Sequence, residues 1–297
     1  MNMKKEETKK ASLSAASGGT ISLGGELTVN RLGFGAMRLT GDGIWGPPKD
    51  HAAAIAVLRR AVELGVNFID TADSYGPNVS EELIAEALFP YPKDLVIATK
   101  GGWNRPGPNQ WTHDASPAHL RQAVEGSLKR LRLHRIDVYQ LHVPDPVVPL
   151  VASIETLANM QSEGKIRLVA LSNVTVEHIE RARKIVPIVS VQNRYSFADR
   201  EWDYVVDYCE RNGIAFIPWF PLGAGTVAGR LLERIAKTRR VKPIQVALAW
   251  LLKRSPVMLP IPGTSSIAHL EENVQAASLQ LSEEEYLELN GVVALAS

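Results

Sequence analysis

The chain has 297 residues, 45% of them hydrophobic and 22% charged, with a formal net charge of +1. That length suits one α/β barrel with a sizeable core, and the balanced charge offers no bulk field to draw nucleic acid or a membrane surface. A single cysteine, Cys209, excludes an internal disulfide, and no apolar run reaches the length of a membrane-spanning helix. At the N-terminus a mixed-charge run, KKEETKK, precedes the small polar stretch ASLSAASGG. With no apolar signal core there, residues 1–18 are expected to form a disordered tail on a cytoplasmic protein. One domain, 19–297, is expected to follow.

The stretch GTISLGGELTVNRLG alternates apolar and polar residues around a Gly-Gly-Glu turn, which predicts a hairpin. Eight short β-branched runs then alternate with helical patterns. The runs are LGFGAM, FIDTA, LVIATKGG, VYQLHV, RLVALSN, IVSVQNRYS, AFIPWFPL and VMLPIPGTS. After Asp50 a helix places Ile55, Leu58 and Val62 on one face and stops at Gly65. Ser116-Pro117 opens a second in cap-then-proline order, with Leu120, Val124, Leu128 and Leu131 inward. Cys209 lies in a third, DYVVDYCERNG, among apolar neighbours, and reads as a buried structural thiol. Pro243 opens another, carrying Val246, Trp250 and Leu251, and Ser255-Pro256 ends it. Ser282 with Glu285 forms a capping box near the C-terminus. Strands alternating with helices imply parallel strands and right-handed crossovers. Eight units without a linker predict a (β/α)8 TIM barrel rather than a doubly wound open sheet.

Active sites of such barrels sit at the C-terminal ends of the strands. Strand two ends at Asp70, with Tyr75 just beyond. Strand three ends at Lys100 and strand four at His142. Three consecutive strands therefore bring a carboxylate, a phenol, an ammonium and an imidazole to one pocket. A phenol, with a solution pKa near ~10, is a poor acid at neutral pH. A neighbouring ammonium lowers that value, and a carboxylate keeps a buried ammonium charged. Asp70 can thus hold Lys100, Lys100 can tune Tyr75, and Tyr75 can protonate a developing alkoxide. His142 can orient the carbonyl oxygen or share the proton. No His- or carboxylate-rich set has metal-ligand spacing, so no metal is expected.

Three loop tryptophans, Trp45, Trp103 and Trp111, follow strands one and three in Gly- and Pro-rich surroundings. They are expected to wall the substrate pocket and to favour a flat apolar substrate. After strand seven, LGAGTVAG (Leu222 to Gly229) is a glycine-rich loop before a helix start, where barrels bind phosphate. It matches G-x-G-x-x-A, but no acidic residue follows about 20 positions on at the end of a strand, so a Rossmann reading is discounted.

These segments resemble the aldo-keto reductase family, from about Gly19 to the C-terminal helix. FIDTADSYG is similar to the family's Asp-Thr-Ala-x-x-Tyr signature, ATK supplies Lys100 and LH supplies His142, so the tetrad is intact. The hairpin resembles the plug at the family's barrel bottom. The resemblance implies reduction of aldehydes or ketones with NADP as cofactor (NAD possible), the hydride leaving the nicotinamide and the proton leaving Tyr75. It implies a carboxamide site at Ser172, Asn173 and Gln192, and a stacking ring at Trp219, where the family more often has tyrosine. Backbone contacts are implied at Gly35, Ala36 and Met37 and along Phe220, Leu222, Gly223 and Gly225. IPGTSSIAHLEEN resembles the adenosine segment, with Thr264, Ser265 and Ser266 for a 2′-phosphate and Glu272 and Asn273 for adenine. Many members carry a lysine and an arginine where this chain has Gly263 and His269. The form of this segment resembles a bacterial subgroup that includes pyridoxal reductases, so a small carbonyl substrate such as pyridoxal is implied. A monomer is the default state. The rival reading is a nucleotide-binding regulatory subunit of the same fold with little turnover.

Overall fold

The computed structural model describes residues 13–219 and 227–294. The predicted hairpin is present: β1 (Thr20–Leu23) and β2 (Leu27–Asn30) pair antiparallel. Its turn passes through Gly24 and Gly25 at φ 59° and 74°, a region glycine enters without steric cost. Leu23 and Val29 are fully buried and cluster with Val96, Val138, Leu168, Val189 and Ala215. The hairpin therefore plugs the N-terminal end of the barrel.

Parallel strands follow in the order in which the chain lays them down. They are β3 (Phe34–Gly35), β4 (Phe68–Asp70) and β5 (Val96–Gly101). An antiparallel excursion, β6 (Trp103–Gly107) and β7 (Gln110–His113), intervenes. Then come β8 (Ile136–Leu141), β9 (Ile166–Ser172), β10 (Ile188–Arg194) and β11 (Ala215–Trp219). Apart from β6 and β7 these strands form one sheet, parallel throughout. The eighth predicted run closes it. Phe216 donates to the Val257 carbonyl and accepts from the Leu259 N–H, each at 2.8 Å, while Gly33 donates to Pro260 at 2.9 Å. Pro256, Pro260 and Pro262 bring no N–H, so this stave bonds to both neighbours through a sparse ladder.

Helices α1 (His51–Glu63), α2 (Val79–Leu88), α3 (Pro117–Arg130), α4 (Leu150–Ser162), α5 (Val176–Arg183) and α6 (Asp203–Asn212) cover the outside. After them come α7 (Val227–Arg239), α8 (Pro243–Arg254), α9 (Ile267–Gln275) and α10 (Glu283–Ala294). The predicted ends hold. Asp50 caps α1 through Ala53 N–H at 2.9 Å, and Gly65 turns the chain at φ 79°. Ser116 caps α3 through His119 N–H at 3.3 Å. Ser282 and Glu285 exchange the two bonds of a capping box. Burial pushes the Cys209 thiol up to about 12, so it is structural as read. Among the described residues no helix is long and apolar enough to cross a membrane.

Two stretches differ from expectation. Of the tail, residues 1–12 lie outside the described residues. Ala15–Gly18 is not disordered: it forms a 3-10 turn capped by Ser14, with Ala15 buried and bonded to Leu64. The stretch after β5, read as a loop, is the β6–β7 ribbon, turning through Pro108-Asn109 with Asn109 at φ 55°.

The interior is layered by the two-residue period of the strands. Phe68, Val96, Val138, Leu168, Ala215 and Leu259 form an apolar layer, with Ala98, Ala170, Ile217 and Ile261 above it. One step further along the same faces stand Asp70, Lys100, Gln140 and Ser172. The axis thus turns from apolar to polar at the C-terminal end. In β10 a register irregularity between Ile188 and Val191 changes the alternation. Val189 belongs to the barrel interior and Val191 to the outer core, and Gln192 reaches Asp70.

Candidate active site

Asp70 and Lys100 form an ion pair at 2.6 Å between Oδ1 and Nζ, with side-chain exposures of 3% and 0%. The ammonium uses all three donors: on Asp70, on the Thr71 carbonyl at 2.8 Å and on the Tyr75 hydroxyl at 3.3 Å. Burial by itself disfavours the charge on Lys100. The charge of Asp70 and the hydrogen bonds to Asp70 and Tyr75 oppose this, and its pKa is raised, so it stays an ammonium. The second carboxylate oxygen of Asp70 accepts from Gln140 Nε2 at 2.8 Å and Gln192 Nε2 at 2.9 Å. A buried charge pair persists only with such full satisfaction.

Tyr75 is 7% exposed. Burial raises its pKa and the Lys100 charge opposes that, so the expected lowering by the ammonium is outweighed. The phenol stays protonated at neutral pH, the form an acid must have. His142 packs edge-on to the Tyr75 ring with centroids 5.9 Å apart, and its Nδ1 lies 3.4 Å from Ser74 Oγ. Burial lowers its pKa well below the ordinary value, and Lys100 and Arg105 add to this, so the imidazole is neutral. The four predicted residues therefore meet, with one proton on the phenol beside a neutral imidazole and a fixed cation.

Asp70, Tyr75 and His142 border a cavity of about 710 Å³, with Lys100 buried behind them, within the range of small-molecule sites. Of the residues expected to bind a cofactor, Gly35, Met37, Ser172, Asn173, Gln192, Trp219 and Gly263 line it. Asn173, left-handed at φ 57°, has its amide committed. It donates to the His142 carbonyl and Ser172 Oγ at 3.0 and 3.1 Å, and accepts from Trp219 Nε1 at 3.1 Å. Gln192 spends its amide nitrogen on Asp70 rather than leaving the whole carboxamide free. Ala36 is buried, its carbonyl accepting from Ser80 Oγ at 3.4 Å. Thr264, Ser265, Ser266, His269, Glu272 and Asn273 lie at or in α9, beyond the cavity lining. There the cap is Ser266, whose Oγ accepts from His269 N–H at 3.5 Å, and Thr264 Oγ1 accepts from Ser266 N–H at 3.1 Å. Phe220, Leu222, Gly223 and Gly225 lie outside the described residues.

Of the three tryptophans, Trp103 and Trp111 form a wall, edge to face at 5.9 Å, each also against His142. Trp45 does not line the cavity; Ile44 does. Trp45 instead bridges to Gly76 and lies 5.7 Å from the Arg105 guanidinium. Arg105 was missed from sequence. It donates to the carbonyls of Ser74 (2.8 Å), Gly43 (3.0 Å) and Gln110 (2.9 Å) and stacks 3.7 Å over Trp111. It thereby ties the ribbon to the loop that carries Tyr75. Only the ribbon's fold brings it there, so no sequence signal marked it. Gln140, His113, Val143, Ile261 and Arg38 were also missed. Gln140 had a signal: it stands two residues before His142, on the same strand face.

Asp73, within the same loop, is a further buried carboxylate. Its Oδ1 has no hydrogen-bond partner among the described residues. Burial, reinforced by the charge of Glu81, raises its pKa to about 8. Glu81 is itself held by Arg130 and Thr99, each at 2.6 Å. A folded pKa above the unfolded value means that the folded state holds the extra proton. This contribution is complete below about pH 4 and is lost as pH rises to about 8. Asp73→Asn is expected to flatten the fall in melting temperature over that window; an unchanged slope would rule Asp73 out as its source.

Residues 31–294 match the aldo/keto reductase family. The chain is 52% identical over 282 residues to an uncharacterised oxidoreductase of Schizosaccharomyces pombe, covering 94% of this chain and 92% of that one. It is 48% identical over 283 residues to pyridoxine 4-dehydrogenase of Escherichia coli, covering 93% and 99%. The solved aldo/keto reductase of Klebsiella pneumoniae in complex with NADP and acetate superposes with a TM-score of 0.78 at 26% identity, covering 92% and 95%. The intact tetrad at the strand ends and these likenesses agree: the chain belongs to the aldo/keto reductase family of NAD(P)H-dependent oxidoreductases.

Proposed function

We propose that the protein reduces aldehydes to alcohols with NADPH, flat aromatic aldehydes of the pyridoxal kind foremost, as a monomer with one catalytic domain. One observation carries this: the Tyr75 hydroxyl lies 3.3 Å from the Lys100 ammonium at a cavity walled by Trp103 and Trp111. The residues present fit a nicotinamide dinucleotide. Ser172, Asn173 and Gln192 line one side with amides and a hydroxyl, and Trp219 adds an aromatic ring. Gly35 and Gly263 bring backbone to the surface. When bound, the cofactor supplies the hydride.

The chain's own part is the proton and the orientation. A carbonyl oxygen seated between Tyr75 and the neutral His142 takes the proton from the phenol. The resulting phenolate is held by Lys100, whose positive charge Asp70 maintains. Gln140 and Gln192 keep Asp70 in place, and Arg105 holds the Tyr75 loop against the tryptophan wall. The pyridoxine 4-dehydrogenase relative supports the substrate class and the NADP-bound Klebsiella structure supports the cofactor.

Purified protein is expected to consume NADPH faster than NADH with pyridoxal, and faster with pyridoxal than with an aliphatic aldehyde of similar size. NADH preferred would overturn the cofactor assignment. Tight nucleotide binding with no consumption would favour the regulatory-subunit reading.

A further inference from the structure

A dinucleotide carries several negative charges, and its phosphates need donors or cations. Most cations near the cavity are already engaged. Lys100 has three acceptors beneath the floor, and Arg105 is bound to four backbone carbonyls beside the substrate wall. His142 is neutral. Among the described residues lining the cavity, the one arginine or lysine is Arg38, just past β3. It is exposed, and among the described residues no hydrogen bond or ion pair holds its guanidinium.

Its position bears on a peculiarity of the neighbouring stave. A Cβ added to Gly263 would lie 2.4 Å from the Gly35 carbonyl oxygen, and one added to Gly35 would lie 2.7 Å from the Ile261 carbonyl oxygen. These clashes are with backbone, so neither position takes a side chain without moving a stave of the barrel. No cation can stand at 263. The same added Cβ would lie 3.6 Å from Arg38 Cγ. The arginine stem therefore runs alongside the bare Gly263 backbone, and its free guanidinium serves the region a side chain from 263 would have served.

We propose that Arg38 is a cofactor-binding residue, supplying the cationic contact to a phosphate group of the dinucleotide that position 263 is sterically barred from making. This rests on the cofactor reading above. The shared chemistry is a phosphate, either the 2′-phosphate or the pyrophosphate. A guanidinium suits it because its planar fork can meet two phosphate oxygens at once.

The test is nucleotide binding, read by tryptophan fluorescence quenching, for wild type, Arg38→Met and Arg38→Lys with NADPH and NADH at low and high salt. Arg38→Met is expected to raise the Kd for NADPH about tenfold and to flatten its salt dependence, with Arg38→Lys recovering part of the affinity. A loss confined to NADPH assigns the contact to the 2′-phosphate; an equal loss for NADH assigns it to the pyrophosphate. Either supports the proposal. Wild type that binds while Arg38→Met binds NADPH equally well overturns it. So does Arg38→Lys as weak as Arg38→Met, since a retained charge then does nothing. Wild type that binds neither nucleotide overturns the cofactor reading itself, an outcome separate from both.

Discussion

Tyr75→Phe is expected to lower carbonyl-reducing turnover about 10²–10⁴-fold, the range for losing a positioned general acid, with nucleotide affinity retained. The change removes one oxygen. The ring keeps its edge-on packing with His142, and Lys100 keeps two of its three acceptors, Asp70 and Thr71. The lost hydrogen bond is worth about 0.5–1.5 kcal/mol net, so the protein should remain folded. This separates the acid role from a structural one: a large fall in kcat at nearly constant melting temperature and nucleotide Kd. A variant retaining most of its turnover would show that another group delivers the proton, with His142 next in line.

Lys100→Met should affect rate, pH profile and stability together. Removing one partner of a buried pair leaves the other charge uncompensated, at a cost of about 3–5 kcal/mol. Asp70 retains Gln140 and Gln192 as donors but loses its cation. The Tyr75 pKa, already raised by burial, loses the one nearby charge that lowers it most. The alkaline limb of the reduction profile should therefore move to higher pH, and alcohol oxidation, which needs the phenolate as base, should fall further than reduction. Combining Lys100→Met with Asp70→Asn should restore much of the stability, because a neutral pair no longer buries a lone charge, but none of the rate. An unshifted pH profile in the single variant would refute the tuning role, whatever happened to stability.

Much of this molecule is legible in one dimension because barrels obey local rules. Caps at Asp50, Ser116 and Ser282 depend on residues within a turn of one another. Gly24-Gly25 makes its turn by backbone freedom alone. The period of two in each strand, with the rule that strand ends form the site, was enough to bring Asp70, Lys100 and His142 together, and would have added Gln140 had the alternation been followed one step back from His142. The DSYG loop carried Tyr75 to the same place because it is short and follows directly on β4.

Tertiary structure decided what depends on contacts between distant segments. The β10 irregularity, which brings Gln192 to Asp70, interrupts the strand alternation a sequence reading assumes. The ribbon after β5 wins over a plain loop because Arg105 ties it to Gly43 and Ser74, residues 62 and 31 positions away. That leaves Ile44, not Trp45, on the cavity wall. The protonation of Tyr75 likewise needed three dimensions. A list of neighbours predicts that an ammonium acidifies a phenol, but burial is a property of the packed whole and here it outweighs the charge. The absence of a side chain at 263 was visible in the sequence. That the Gly35 carbonyl forbids one, and that Arg38 runs beside the gap, follows only from two staves 228 positions apart closing on each other.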